Sequence, residues 1–235
     1  MNRRTFLAVG AATAAAALIP MPAFAATSSY QDAFQRSPGP VTDPPQSPQI
    51  HYNVTGMGMP MIENGRVAPT AEGKCYLPFD FLVQPTLVGM DFTLAGSYDP
   101  SLPAGQLGGG VTIALGDGKH KSDPSKNGTL PVIAENCMHL RIDGRAWQIQ
   151  VRRQAWGDRP FKTRKEGRFR PNITGTHTFE VIVSGDRVTL FLDEDELGFH
   201  EDMEVGNLVQ TGIYLECGQK AGLPTSYIER AWAEA

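Results

Sequence analysis

From about His51 onward, apolar side chains recur at every second position or in short β-branched and aromatic runs. Gly, Pro and Asp divide these runs, and the three-to-four-residue spacing of an amphipathic helix is nearly absent. Period-2 alternation between turn residues is the signature of half-buried strands. It predicts strands at Lys74–Leu82, Thr86–Leu94, Val111–Leu115, Met138–Ile142, Ala146–Arg153, His177–Ser184, Arg187–Leu192, Gly212–Cys217 and Tyr227–Ala233. Gly185-Asp186 stands between VIVS and RVTL as a two-residue hairpin loop, and Asp143-Gly144 does the same between HLRI and RAWQIQV. No internal repeat is visible. Many short strands with frequent turns predict an all-β sandwich or barrel, and residues 51–235 suffice for one such domain.

Two segments precede it. Residues 1–25 open with Arg3 and Arg4, run through the apolar stretch Ala8–Ile19 and end on Ala23-Phe24-Ala25. A charged start, a short apolar middle and an A-x-A end are the parts of a secretory signal. The apolar stretch is too short for a membrane span of roughly 20 residues. Paired arginines ahead of Phe6-Leu7 resemble the twin-arginine motif, although Ala8 stands where that motif often has Lys. The resemblance implies export by the twin-arginine translocase, to the periplasm or beyond. Residues 26–50 carry five prolines among Ser, Gln and Asp and read as an extended, poorly ordered linker.

Charge and cysteine content narrow the partners. The net charge is −4 for the whole chain and −6 once Arg3 and Arg4 are removed, which argues against nucleic acid as the main ligand. Cys75, Cys137 and Cys217 fit no zinc spacing and are expected as buried free thiols, as folding in a reducing cytoplasm before export would leave them. No nucleophile elbow, H-E-x-x-H or C-x-x-C motif occurs.

Candidate chemistry concentrates around one hairpin. In AWQIQVRR the apolar face is Trp147, Ile149 and Val151, which turns Gln148, Gln150 and Arg152 the other way. In MHLRI, Leu140 and Ile142 oppose His139 and Arg141. Amides and guanidiniums on one sheet face suit hydroxyl and carboxylate oxygens. Eight basic residues follow within Arg152–Arg170, interleaved with Trp156, Phe161 and Phe169; this stretch is expected as a loop facing an anionic ligand, with Trp156 stacking on a sugar ring.

The C-terminal third adds a resemblance. HTFEVIVSGDRVTLFLDEDELGF resembles the paired strands of concanavalin A-like (laminin-G-like) sandwiches. TGIYLECGQKAGLPTSYIERAWAEA is similar to the closing strand pair of bacterial 3-keto-disaccharide hydrolase-type domains in the same superfamily. Glu216 replaces the Gln of that pattern, and Ile228-Glu229-Arg230 departs from it. The resemblance implies a two-sheet antiparallel jelly roll whose concave face binds sugar. On it Glu216 is the best candidate for a general acid or base, while His139 and Tyr214 are proton-transfer groups for lyase chemistry. Arg141, Gln148, Gln150, Arg152 and Trp156 are then substrate-binding. Asp193-Glu194-Asp195-Glu196 lacks the alternating E-x-D-x-x-E of a laminarinase-type strand and reads as a turn; clustered oxygens of this kind can hold a hard cation such as structural calcium, and no cofactor is expected. The expected function is an exported carbohydrate-active protein that cleaves an anionic glycan as hydrolase or lyase. The alternatives are a non-catalytic glycan-binding module and an envelope structural or interaction protein.

Overall fold

The structure, a computed structural model, describes residues 29–42, 60–69, 74–80, 85–95, 109–116, 136–153, 162–201, 210–216 and 225–235. For 74–80 and 210–216 it describes the backbone pairing. Fifteen strands occur among these residues: β1 (Ser29–Asp32), β2 (Gly39–Pro40), β3 (Pro60–Glu63), β4 (Arg66–Pro69), β5 (Lys74–Asp80), β6 (Leu87–Ala95), β7 (Gly110–Gly116), β8 (Cys137–Asp143), β9 (Ala146–Arg152), β10 (Lys162–Arg168), β11 (Gly175–Ser184), β12 (Arg187–Leu192), β13 (Asp195–Glu201), β14 (Gln210–Glu216) and β15 (Thr225–Glu234). They form two antiparallel sheets. One runs β13-β12-β11-β6-β15-β4-β3-β2, with β1 also on β15; the other runs β10-β9-β8-β7-β14-β5.

The alternation seen in the sequence is what joins the sheets. Val111, Ile113 and Leu115 of β7, Leu140 and Ile142 of β8, and Ile149 and Val151 of β9 are fully buried. They meet Met90, Phe92 and Leu94 of β6, Phe179 and Val181 of β11, and Leu190 of β12 in one core. Each apolar side chain of this size contributes roughly 1.5–3 kcal/mol on full burial. All nine expected strands are present, with ends shifted by a few residues.

Three expectations change. The stretch expected as a linker contributes β1, which pairs with β15 from Ser29 opposite Glu234 to Asp32 opposite Ala231. Phe34 and Val41 are then buried in the core. Asp32 holds this strap: its Oδ1 accepts from the Phe34 N–H and from Arg36 Nη1, both at 2.7 Å. Prolines ruled out a helix here but not an edge strand, which uses few backbone donors. The basic stretch expected as a loop contains β10, an edge strand whose KTRKEGR has no apolar alternation because it pairs through its backbone with β9 alone. Charged side chains on an edge strand also deter pairing with other chains. In the acidic quartet, Asp193 and Glu194 form the turn, with φ of 51° and 76°, while Asp195 and Glu196 begin β13.

Of the two expected hairpins, Gly185 adopts the positive φ of 56° that its loop needs. The other turn lies one residue later than expected, at Gly144-Arg145. Asp143 ends β8, and its Oδ1 accepts from the backbone N–H of Arg145 at 2.8 Å and of Ala146 at 2.9 Å. Such a side-chain turn is what Asp offers a chain reversal. Residues 1–25, Trp156, and Cys217 lie outside the described residues. Of the cysteines, Cys137 is the one whose side chain is described, and it is buried.

Candidate functional site

The face of the six-stranded sheet turned away from the core carries the candidate residues, and strand register decides which of them meet. Gln148 lies opposite Arg141, Arg141 opposite Thr112, and Thr112 opposite Tyr214. The next row places Gln150 opposite His139 and His139 opposite Ala114, and the third places Arg152 opposite Cys137. At the other end, Gly110 lies between Glu216 and Asp143. Adjacent strands are about 4.8 Å apart. The expected His139, Arg141, Gln148, Gln150 and Arg152 thus share one face across two strands, and Tyr214 and Glu216 fall into the same rows two strands further on.

Local contacts separate the roles. Arg141 Nη1 lies 3.2 Å from Asp143 Oδ2. Since Asp143 Oδ1 already serves the turn, both oxygens of this carboxylate are engaged. Gln150 Nε2 donates to Gln148 Oε1 at 3.2 Å, and Gln148 Nε2 donates to Glu166 Oε2 at 3.2 Å. This chain of amides leads out to the edge strand β10. His139 is 1 % exposed.

Two polar atoms on this face stand out. Thr112 Oγ1 and Arg152 Nη1 are buried, and neither makes a hydrogen bond to a described residue. Leaving a buried donor unsatisfied costs about 1–3 kcal/mol, more for a charged group, so such atoms ask for an explanation.

Sequence reasoning missed Thr112, Asp143 and Glu166. Thr112 was legible as the polar position inside VTIAL. Asp143 was placed within the turn rather than holding it, and Glu166 was hidden in the basic stretch. That stretch does not act as one patch. Lys165 Nζ lies 4.0 Å and the Arg187 guanidinium 3.6 Å from the ring centroid of Phe199, at the edge where β10 approaches β13. Of the acidic quartet, Asp193 is committed: its Oδ2 lies 2.6 Å from His177 Nδ1, and its Oδ1 accepts from the Thr178 N–H at 2.9 Å. Among the described residues no group of three or more His, Cys, Asp or Glu is arranged to hold a metal ion.

No known family model and no curated protein matches the chain. Solved structures do. The catalytic domain of an endo-1,3-β-glucanase (laminarinase) from Thermotoga petrophila RKU-1 is 11 % identical, over 88 % of this chain and 96 % of that one, with a TM-score of 0.53. A LamA variant from Z. galactanivorans, in complex with laminaritriose and laminaritetraose, is 10 % identical over 88 % and 98 % of the two chains, with a TM-score of 0.56. The endo-β-1,3-glucanase from Pyrococcus furiosus is 10 % identical over 88 % and 93 %, at 0.55. At these identities the likeness is one of fold. With the two antiparallel sheets, it makes the chain a jelly-roll sandwich of the concanavalin A-like class.

Proposed function

We propose that this chain is an exported, polysaccharide-cleaving protein that binds an anionic glycan across the outward face of its six-stranded sheet. One observation carries the reading: Gln148, Gln150 and Arg152 stand in consecutive rows of one outward face, and Arg152 Nη1 makes no hydrogen bond to a described residue. A carboxylate is the natural acceptor for a buried guanidinium nitrogen. Trp156 is part of this proposal as a ring to stack on sugar, and the twin-arginine leader supplies the route to the periplasm or beyond.

The cleavage step follows from which groups are available. Glycoside hydrolysis canvasses two carboxyl groups about 5–9.5 Å apart. Asp143 faces Glu216 across Gly110, but both its oxygens are engaged. Elimination needs one group to neutralise the uronate and another to remove the adjacent proton. Arg141 and Gln148, in the row of Tyr214, fill the first role; the Tyr214 oxygen, ionised for the step, takes the proton next to the carboxylate, the double bond forms as the sugar–oxygen bond β to the carboxylate breaks, and the departing oxygen takes that proton back from Tyr214, while Arg152 holds a neighbouring uronate. His139, at 1 % exposure, serves this reading as a positioning residue beside Gln150. Hydrolysis through Glu216 is the second reading. It is favoured by the fold shared with 1,3-β-glucanases and by the resemblance to 3-keto-disaccharide hydrolase domains.

The test is incubation of the mature protein with alginate, polygalacturonate, hyaluronan and laminarin, followed by mass analysis. Unsaturated uronate products are expected. Products heavier by one water per cleavage would replace elimination by hydrolysis. Binding without products would leave a glycan-binding module, and neither binding nor products would overturn the reading.

A further inference from the structure

The outer face of the nine-stranded sheet carries a groove that the proposed function does not use. It encloses about 310 Å³ and is lined by Ser29, Gln31, Glu180, Arg230, Trp232 and Glu234, among others. That volume is at the lower end of the range of small-molecule sites. Four adjacent strands build it. Glu180 of β11 lies opposite Gly89 of β6, Gly89 opposite Trp232 of β15, and Trp232 opposite Gln31 of β1.

Gly89 makes this arrangement possible. A Cβ at that position would come within 2.2 Å of Trp232 Cε2 and 2.6 Å of its Nε1. The indole therefore settles onto the sheet over a residue that has no side chain. Arg230 fixes it further. Its guanidinium carbon is 4.6 Å from the indole centroid, and its Nε donates to Asp91 Oδ2 at 2.8 Å. Thr178 Oγ1 donates to the other oxygen of Asp91 at 2.9 Å, so the guanidinium is anchored to two strands. A fixed aromatic ring loses little freedom when a ligand arrives.

We propose that this groove is a second carbohydrate site, which takes one ring of a neutral glycan. The part of the indole covered neither by Gly89 nor by the Arg230 guanidinium offers an apolar surface to the C–H face of a pyranose. The carboxylates of Glu180 and Glu234 accept from sugar hydroxyls, and the Gln31 amide both donates and accepts. The two carboxylates set the ligand class, since they repel the uronates proposed for the opposite sheet. The site stands on residues of β1, β6, β11 and β15 alone, so it holds or fails independently of the six-stranded face. A protein built this way would grip a neutral chain on one face and an anionic one on the other.

Titrating laminarihexaose, cellohexaose, maltohexaose and xylohexaose into the mature protein, with tryptophan fluorescence and calorimetry as readouts, tests the proposal. At least one should bind. Trp232→Ala should weaken that binding at least tenfold, and Glu180→Gln, which keeps the shape of the side chain, several-fold with an unchanged melting temperature. Arg152→Ala should leave it unaltered. Binding by none of the four, or equal binding by wild type, Trp232→Ala and Glu180→Gln, would overturn the site. Displacement of the sugar by tetramethylammonium at equal concentration would also overturn it, in favour of a cation cage.

Discussion

Arg141 and Asp143 point their charges at one another, 3.2 Å apart at the end of the same strand, and the carboxylate also closes the turn that follows. One side chain thereby sets both the hairpin's reversal and the position of a guanidinium on the outward face. The register of Arg141 against Gln148 depends on that reversal.

Asp143→Ala should therefore cost more than a surface substitution. Two backbone N–H groups and a guanidinium lose their acceptor, worth about 2 kcal/mol together once water replaces part of the loss. Denaturant unfolding should report that decrease, and glycan binding at Arg152 should weaken in parallel. A change below 0.5 kcal/mol, roughly the scale of a neutral surface site, would show that the turn holds itself.

The edge between the sheets depends on a second close approach. Trp147 packs against the core, with its indole against Gly167 of β10 and Gly198 of β13. A Cβ on Gly167 would lie 2.3 Å from Trp147 Nε1, and one on Gly198 would lie 2.7 Å from Cη2. Gly167→Ala should destabilise by about 1–3 kcal/mol through overpacking. The same substitution at Gly185, where nothing lies within 4 Å, should cost only what its positive φ imposes. Thermal unfolding of both variants distinguishes the two effects, and equal losses would contradict the packing account.

The segment before β3 belongs to the folded unit. Phe34 is fully buried with φ of 54°, held by the Asp32 carboxylate. Phe34→Ala should cost roughly 3 kcal/mol, as large-to-small changes in cores do. Protease treatment of the native protein should spare residues 29–42. Rapid trimming there, with an unchanged melting temperature, would restore the linker reading.

Why these features differ in legibility is physical. Strands such as GVTIALG and the VIVS–RVTL pair announce themselves because one face must be apolar to join the core. An edge strand has no such obligation. KTRKEGR makes its hydrogen bonds to β9 through the backbone, so its side chains record solvent and charge rather than pairing. The Pro-rich start of the domain hid β1 for a related reason: its pattern of burial is set by β15, far away in the chain. For the site, alternation placed His139, Arg141, Gln148, Gln150 and Arg152 on one face. It could not show that Arg141 is committed to Asp143, that His139 is covered, or that Arg152 keeps a buried nitrogen with no hydrogen bond to a described residue, because those depend on neighbours across the sheet.

Export is open to a direct check. Replacing Arg3 and Arg4 together by Lys should hold the precursor in the cytoplasm, since twin-arginine recognition requires the guanidinium pair. Cell fractionation with immunoblotting reads the result. Unchanged periplasmic yield would point to the general secretory route instead.

The central claim is that Arg152 meets an anionic glycan on the outward face of the six-stranded sheet. Calorimetric titration of oligouronates into wild type and Arg152→Ala, at low and high salt, tests it most directly. A charge-assisted hydrogen bond from a buried guanidinium contributes about 1.5–3 kcal/mol, and about 1.4 kcal/mol is a factor of ten in affinity. Arg152→Ala should thus weaken binding tenfold or more. Salt should weaken wild type less than screening of an exposed charge would, because the nitrogen is buried. Arg164→Ala, on the exposed edge strand, should change affinity little. Equal affinities of wild type and Arg152→Ala, or tight binding of a neutral glucan that depends on Arg152, would contradict the account.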